Sequence, residues 1–212
     1  MNNIFSYTEF FNNAGHFKPL FEEGHNVWEV LPKIEEFIHE FGKSEEAKEY
    51  TEVSENLFIG KEVVMDNTSR IDGPAIIGHH SVIGHAALLR GGVLIGCNVN
   101  VGHATEVKHS IILSDTALAH LNYIGDSIVG SNCNISGGAT FANWRFDKKE
   151  VMIKNENEKI ATHMDKLGSI VGDESFIGVN AVLNPGTILA KKSLVFPLTA
   201  VRGTHRESTT FK

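Results

Sequence analysis

The stretch IIGHHSVIGHAALLRGGVLIGCNVNVG, residues 76–102, returns an apolar side chain at every sixth position: Ile77, Ile83, Leu89, Ile95 and Val101. Followed outward, the same phase holds upstream through Ile71, Met65 and Ile59, and downstream through Val107, Leu113 and Ala119. After a slip it resumes as Val129, Ile135 and Phe141, and beyond a long interruption as Val171, Ile177, Leu183, Leu189, Val195 and Val201. A helix turns about 100° per residue, so six steps advance about 240° and scatter these positions over three sides. A strand alternates faces every two residues, so six steps return to the same face. The period therefore specifies short strands feeding one apolar column.

Glycine often follows the apolar residue, as in Ile77-Gly78, Ile83-Gly84, Ile95-Gly96 and Val101-Gly102. Its conformational freedom is expected to turn a corner after each strand. The pattern resembles the hexapeptide repeat. That resemblance implies an all-β fold, a single-stranded left-handed parallel β-helix in which three hexads make a triangular coil of about eighteen residues. The handedness, opposite to the usual crossover rule, comes from the resemblance alone. The expected organisation is an N-terminal helical or irregular extension over 1–54 and a β-helix domain over 55–212, with an inserted loop at about 144–169.

At 212 residues the chain is long enough to bury a substantial core. A net charge of −7 with no basic run argues against nucleic acid and anionic membranes as partners. No apolar stretch approaches a membrane span, and the MNNIFSYTEF start lacks the layout of a signal peptide, so a cytoplasmic location is expected. Cys97 and Cys133 fall at different phases of the repeat, which predicts two separate thiols. Phe5, Phe10, Phe11, Phe17 and Phe21 follow no clean period and predict irregular structure or a short helix. Ile34, Phe37, Ile38 and Phe41, with Gly42 as a stop, predict one amphipathic helix covering the first coil. Residues 43–54 read as a charged, solvated connection, the polar NENEK as the tip of a hairpin, and the terminal THRESTTFK as frayed or lying over the last coil.

Residues eighteen apart stack one coil above the other, so Arg90 and Lys108 are neighbours. Stacked cations repel unless an anion such as phosphate lies between them; the plainer alternative is two solvated surface charges. Lys108 stands outside the apolar column and is expected to be dispensable for folding.

The segment EVKHS (106–110), AHLNYIGDSIVGSNCNISGGAT (119–140) and FANWRFDKK (141–149) resembles the acetyltransferase domain of the bifunctional glucosamine-1-phosphate N-acetyltransferase and N-acetylglucosamine-1-phosphate uridylyltransferase proteins. It is even more similar to the archaeal sugar-1-phosphate nucleotidylyltransferase and acetyltransferase proteins. The resemblance implies transfer from acetyl-CoA to an amino-sugar 1-phosphate by a homotrimer with coenzyme A lying between subunits. It places the catalytic base on His120 and sugar-phosphate ligands on Arg90, Lys108, Tyr123 and Asn134. A positioning amide falls on Asn143, and a last lysine on either Lys149 or Lys166. Gly137 and Gly138, in a SGGAT one residue longer than the family's GAGT, and Asn143 are candidate oxyanion donors. Asn122 and Trp144 differ from the commoner family residues, implying an altered acceptor.

The chemistry fits these residue types. An amino group protonated near neutral pH must lose a proton before or during attack on a thioester, and histidine is matched to that pH. No nucleophilic cysteine is needed, because the acyl group arrives activated on coenzyme A. His80, His85 and His103 bring to mind the zinc-binding imidazoles of hexapeptide carbonic anhydrases, but the further upstream histidine is missing from residues 55–78. No metal is expected. Neither the length nor the glycine-rich loop of a nucleotidylyltransferase domain is present, and VWEVL (27–31) resembles only the linker to one. Uridylyl transfer by this chain alone is not expected. The rival expectation is a non-catalytic β-helix subunit partnering a separate nucleotidylyltransferase.

Overall fold

The computed structural model describes residues 5–21, 25–155 and 158–212; the first four residues and the tip of NENEK, residues 156–157, lie outside them. The hexads fold into a left-handed parallel β-solenoid of about eight turns. Each coil contributes short strands to three flat faces. On the first face, strands such as Leu57–Ile59, Ala75–Ile77 and Ile128–Val129 stack in parallel register. The second face stacks Val64–Met65, Val82–Ile83, Asn100–Val101, Ala117–Leu118 and Asn134–Ile135, and the third Arg70–Asp72, Tyr123–Gly125 and Thr140–Phe141. Leu88–Ile95 and Glu106–Ile112 run around the corner from third face to first.

The column inside is the one the period specifies, from Ile77, Ile83 and Leu89 through Val107 and on to Val195 and Val201. The slip, however, comes earlier than the sequence suggests. Ile112 and Leu118 fill the interior, whereas Leu113 is buried on the outside. The structure drops one residue where His109 replaces the two-residue Gly91-Gly92 corner, and keeps the shorter corner at Asp126. Both His109 and Asp126 adopt positive φ, 46° each.

The repeat glycines serve a different purpose from the one expected. The left-handed corner residues are mostly not glycine: His80, Asn98, Asp115, Asn132 and Asn180 hold them. The glycine after each inward residue sits instead where coils approach closely; a Cβ on Gly96 would lie 2.6 Å from the Ser114 amide nitrogen.

The N-terminal segment packs along the first face. Outward side chains there are apolar (Phe58, Ile76, Leu94, Ile111, Ile128, Ile170 and Ile188) and form a second core with Phe10, Trp28, Leu31, Ile34 and Ile38. A 3-10 turn over Val27–Lys33 leads into the α-helix Ile34–Phe41, whose Phe41 ring meets Phe58 edge-on at 5.4 Å. The segment begins at the far end: Glu9 pairs with Arg206 at 2.5 Å, Lys191 bonds the Thr8 carbonyl and Asn12, and Asp173 accepts the Asn12 amide at 2.7 Å. Three further features concern segments outside the apolar repeat. Thr51–Ser54 is a strand, pairing antiparallel with Leu57–Ile59. The C-terminal residues continue the stack as Thr204–His205 and Thr210–Phe211. Met152–Asn155 and Glu158–Ala161 form the inserted hairpin, with Val151 and Ile153 joining the second core. Both cysteines are free, Cys133 buried and Cys97 half-buried.

Candidate functional site

Arg90 and Lys108 are stacked as the coil length requires, paired in register on the third face. They are not left to repel one another. Arg90 binds Glu106 through Nε at 2.8 Å and Nη2 at 2.6 Å. Lys108 Nζ lies 2.9 and 3.0 Å from the two oxygens of Asp126. Two carboxylates thus do the neutralising that the sequence argument assigned to a phosphate. Both stand inside quoted motifs, Glu106 opening EVK and Asp126 closing HLNYIGD, but their pairing depends on the slipped register.

Asp126 is the hub of this corner. Its side chain is 9% exposed, and besides Lys108 it accepts the Asn143 amide, which also donates to the Tyr123 hydroxyl at 3.1 Å. Burial pushes the Tyr123 phenol up, which favours the neutral hydroxyl that accepts this bond. Tyr123, Lys108 and Asn143 are therefore brought together around Asp126, with Arg90 and Glu106 beside them.

His120 stands at the other end of the same face, exposed on the corner between second and third faces. Tyr123, three residues on, is the first member of the cluster, at most about 10 Å away at the usual rise, and Lys108 and Asp126 lie beyond it at the other end of the strand Tyr123–Gly125. The His120 imidazole fits against Gly137 on the next coil: a Cβ there would lie 2.7 Å from Nε2 and 2.9 Å from Cδ2. The Gly138 N–H donates to the His120 carbonyl at 2.9 Å and is already engaged, so Gly138 is no free oxyanion donor. With φ +73° it serves to turn the corner. Asn134 lies on the second face, its amide 3.3 Å from Ser136 Oγ. One chain therefore spreads the candidate residues over two faces meeting at the His120 edge.

The two lysine candidates differ in setting. Lys149 is exposed on the Trp144–Lys149 loop, where Arg145 pairs with Asp147 at 2.6 Å and pushes its carboxyl down to about 2. Lys166, bridged to Trp144, lines a cavity of about 370 Å³ with Leu31, Pro32, His109 and Asp126. His109 Nε2 donates to the Leu31 carbonyl at 2.8 Å, tying the N-terminal segment to this corner. Asn122 is buried inside its corner, donating to the Ser136 carbonyl at 2.7 Å, where it shapes the coil. Among the described residues, no group of three His, Cys, Asp or Glu side chains is placed to hold a metal. No helix of the described residues is long and apolar enough to cross a membrane.

Comparison with known proteins bears on the family and the fold. The Methanococcus maripaludis bifunctional protein GlmU is 41% identical over 90 residues, covering 42% of this chain and 22% of that protein. A bifunctional sugar-1-phosphate nucleotidylyltransferase/acetyltransferase of Sulfurisphaera tokodaii is 34% identical over 92 residues, covering 43% and 23%. The match thus spans less than a quarter of the length of these curated relatives. A solved Bacillus cereus structure, assigned as an acetyltransferase, superposes with a TM-score of 0.52 at 16% identity over 68% of this chain and 74% of its own, a likeness of fold. The family described as the GMPPB C-terminal domain matches residues 71–194, the coils that carry Arg90, Lys108, His120 and Asn143, and it is to this family that the chain belongs.

Proposed function

We propose that this chain is an acetyl-CoA-dependent acyltransferase whose acceptor is an amino-sugar 1-phosphate of the glucosamine or galactosamine type, working as a homotrimer. The observation that carries the reading is the shared face: His120 at one edge, and Lys108, Tyr123 and Asn143 gathered on Asp126 at the other. An acceptor on this face has its amine at His120 and its phosphate on the adjacent carbon, so Lys108 and Arg90 have to reach along the strand to it and give up part of their contact with Asp126 and Glu106, with Lys166 next to the same corner. The relatives named as sugar-1-phosphate and GlmU proteins support this substrate class.

In the reaction, His120 takes a proton from the amine as its nitrogen attacks the thioester carbonyl. The C–S bond then breaks, and coenzyme A leaves as thiolate and is protonated. The developing oxyanion needs a donor, a role for the Gly137 N–H or for the Asn143 amide once it releases Asp126. Asn134, on the adjoining face, serves the same site in this reading from across the edge or from a neighbouring copy. The first face is covered by the N-terminal segment. The second keeps Val64 and Val82 exposed at one end of its row and Phe176 and Leu194 at the other, with Asn100, Ala117 and Asn134 between them, two apolar pairs that suit self-association.

The test is to incubate the protein with acetyl-CoA and either amino-sugar 1-phosphate and titrate free thiol. Release abolished by His120→Ala supports the enzyme. No release with any amino-sugar phosphate, from protein that is trimeric by light scattering, favours a scaffold subunit for a separate nucleotidylyltransferase. A monomer sinks the intersubunit site.

A further inference from the structure

His85, His103 and His120 occupy the equivalent corner position on three successive coils, each three residues past the start of its second-face strand. They are not equivalent in their contacts. His85 turns toward the preceding coil, its Nδ1 2.6 Å from Thr68 Oγ1 and 3.6 Å from Asp66. His103 turns toward His120: the ring centroids are 5.6 Å apart and the planes 26° from parallel. On the far side of His120 the next coil offers Gly137, where any side chain would meet Nε2. His120 therefore has a flat surface beneath it and a vacant corner above.

We infer that His103 is a positioning residue, whose imidazole face holds the His120 ring so that Nε2 is presented at the Gly137 gap. An exposed histidine has several staggered χ1 states and a broad χ2. Among the described residues the His120 side chain makes no hydrogen bond that would choose between them, and the stack on His103 makes the choice. A pair of this kind biases the rotamer population by about two- to tenfold. Both rings are exposed, so the contact contributes little to the core, and its value lies in where Nε2 points. This inference rests on His120 being the base of the proposed reaction.

The experiment compares His103→Ala with His103→Phe, which keeps a flat ring but cannot titrate. The first readout needs no substrate: proton–carbon correlation of ring-labelled histidines in the intact protein, with the His120 signal assigned by His120→Gln. In the native protein and in His103→Phe, the His120 ring signals are expected to stay displaced by the neighbouring ring current. In His103→Ala they move to free-histidine positions. The second readout is acetyl transfer. His103→Ala is expected to lower kcat about tenfold with KM for acetyl-CoA unchanged, and His103→Phe to restore most of it. Unchanged His120 signals in His103→Ala overturn the inference, as does an unchanged kcat. If the native protein transfers no acetyl group while the signals shift as expected, the acyltransferase reading falls and the stacking role stands.

Discussion

Gly137 and Gly138 are neighbours whose replacement by alanine is expected to fail in opposite ways. At Gly137 the φ lies outside the left-handed region, and the new methyl would meet His120 Nε2 at 2.7 Å and Cδ2 at 2.9 Å. Ordinary contact needs about 3.5–4.0 Å, so the ring has to retreat by roughly 1 Å. It is the far end of an exposed side chain, and it gives way at little cost to the fold. Restricting the unfolded chain contributes about 0.4–1 kcal/mol in the other direction, so Tm should hold or rise slightly. A base misplaced by roughly 1 Å costs on the order of 10²-fold in rate. At Gly138 the φ is +73°, where alanine costs about 1–2 kcal/mol, and its methyl lands on the Asn180 amide oxygen. That predicts a Tm lower by roughly 2–8 °C. Thermal melts and thiol release from acetyl-CoA with glucosamine 1-phosphate read out both variants. A Gly137→Ala protein with native kcat would falsify the placement of the base, and one that melts as early as Gly138→Ala would show that the methyl is felt by the backbone and not by the ring.

Lys108→Ala is expected to raise KM for the sugar phosphate about ten- to a hundredfold, the value of one charge-assisted contact, with KM for acetyl-CoA unchanged. Contrary to the sequence expectation it should also destabilise the fold, by about 3 kcal/mol, because Asp126 is left buried without its cation; adding Asp126→Asn should recover much of this in urea melts. Trp28, 1% exposed in the second core, is expected to cost about 3–5 kcal/mol on replacement by alanine, read as a fall in Tm and in urea midpoint. Burial pushes the Cys133 thiol from 9.0 up to about 12. The folded state thus holds this proton more tightly than the unfolded chain, so the contribution of the neutral thiol is complete below pH 9 and declines between 9 and about 12. The stability advantage of the native protein over Cys133→Ala should shrink across that window, and an advantage that grows with pH would refute the assignment.

The solenoid was legible because the interior admits only one side-chain phase, and Ile77 through Val107 repeat it without a break. Its slip was not, because Leu113 is as apolar as Ile112: the outer side of the first face is itself buried, and hydropathy cannot say which of two greasy neighbours points inward. The spacing from Arg90 to Lys108 survived since no corner is shortened between them. Glu106 and Asp126 were missed as partners because a carboxylate beside a lysine in space carries no mark in the sequence until the coil lengths are known. The same holds for His103, which stands seventeen residues before His120 on a coil shortened by one. The extended terminal strands escaped notice because Thr204–His205 and Thr210–Phe211 lack the repeat's apolar signature.

The N-terminal segment touches the last coil through Glu9 and Arg206 and an early coil through Phe41 and Phe58. A stack in which each coil meets only its neighbours melts like a zipper, opening from whichever end is weaker. A strap fastened to both ends removes that freedom, because an end coil cannot open without lifting the aromatic residues that also cover the middle. Unfolding should therefore be a single cooperative transition with a denaturant slope befitting the whole chain. It also orders assembly: Thr8, Glu9 and Asn12 find their partners Lys191, Arg206 and Asp173 only once the last coils have formed.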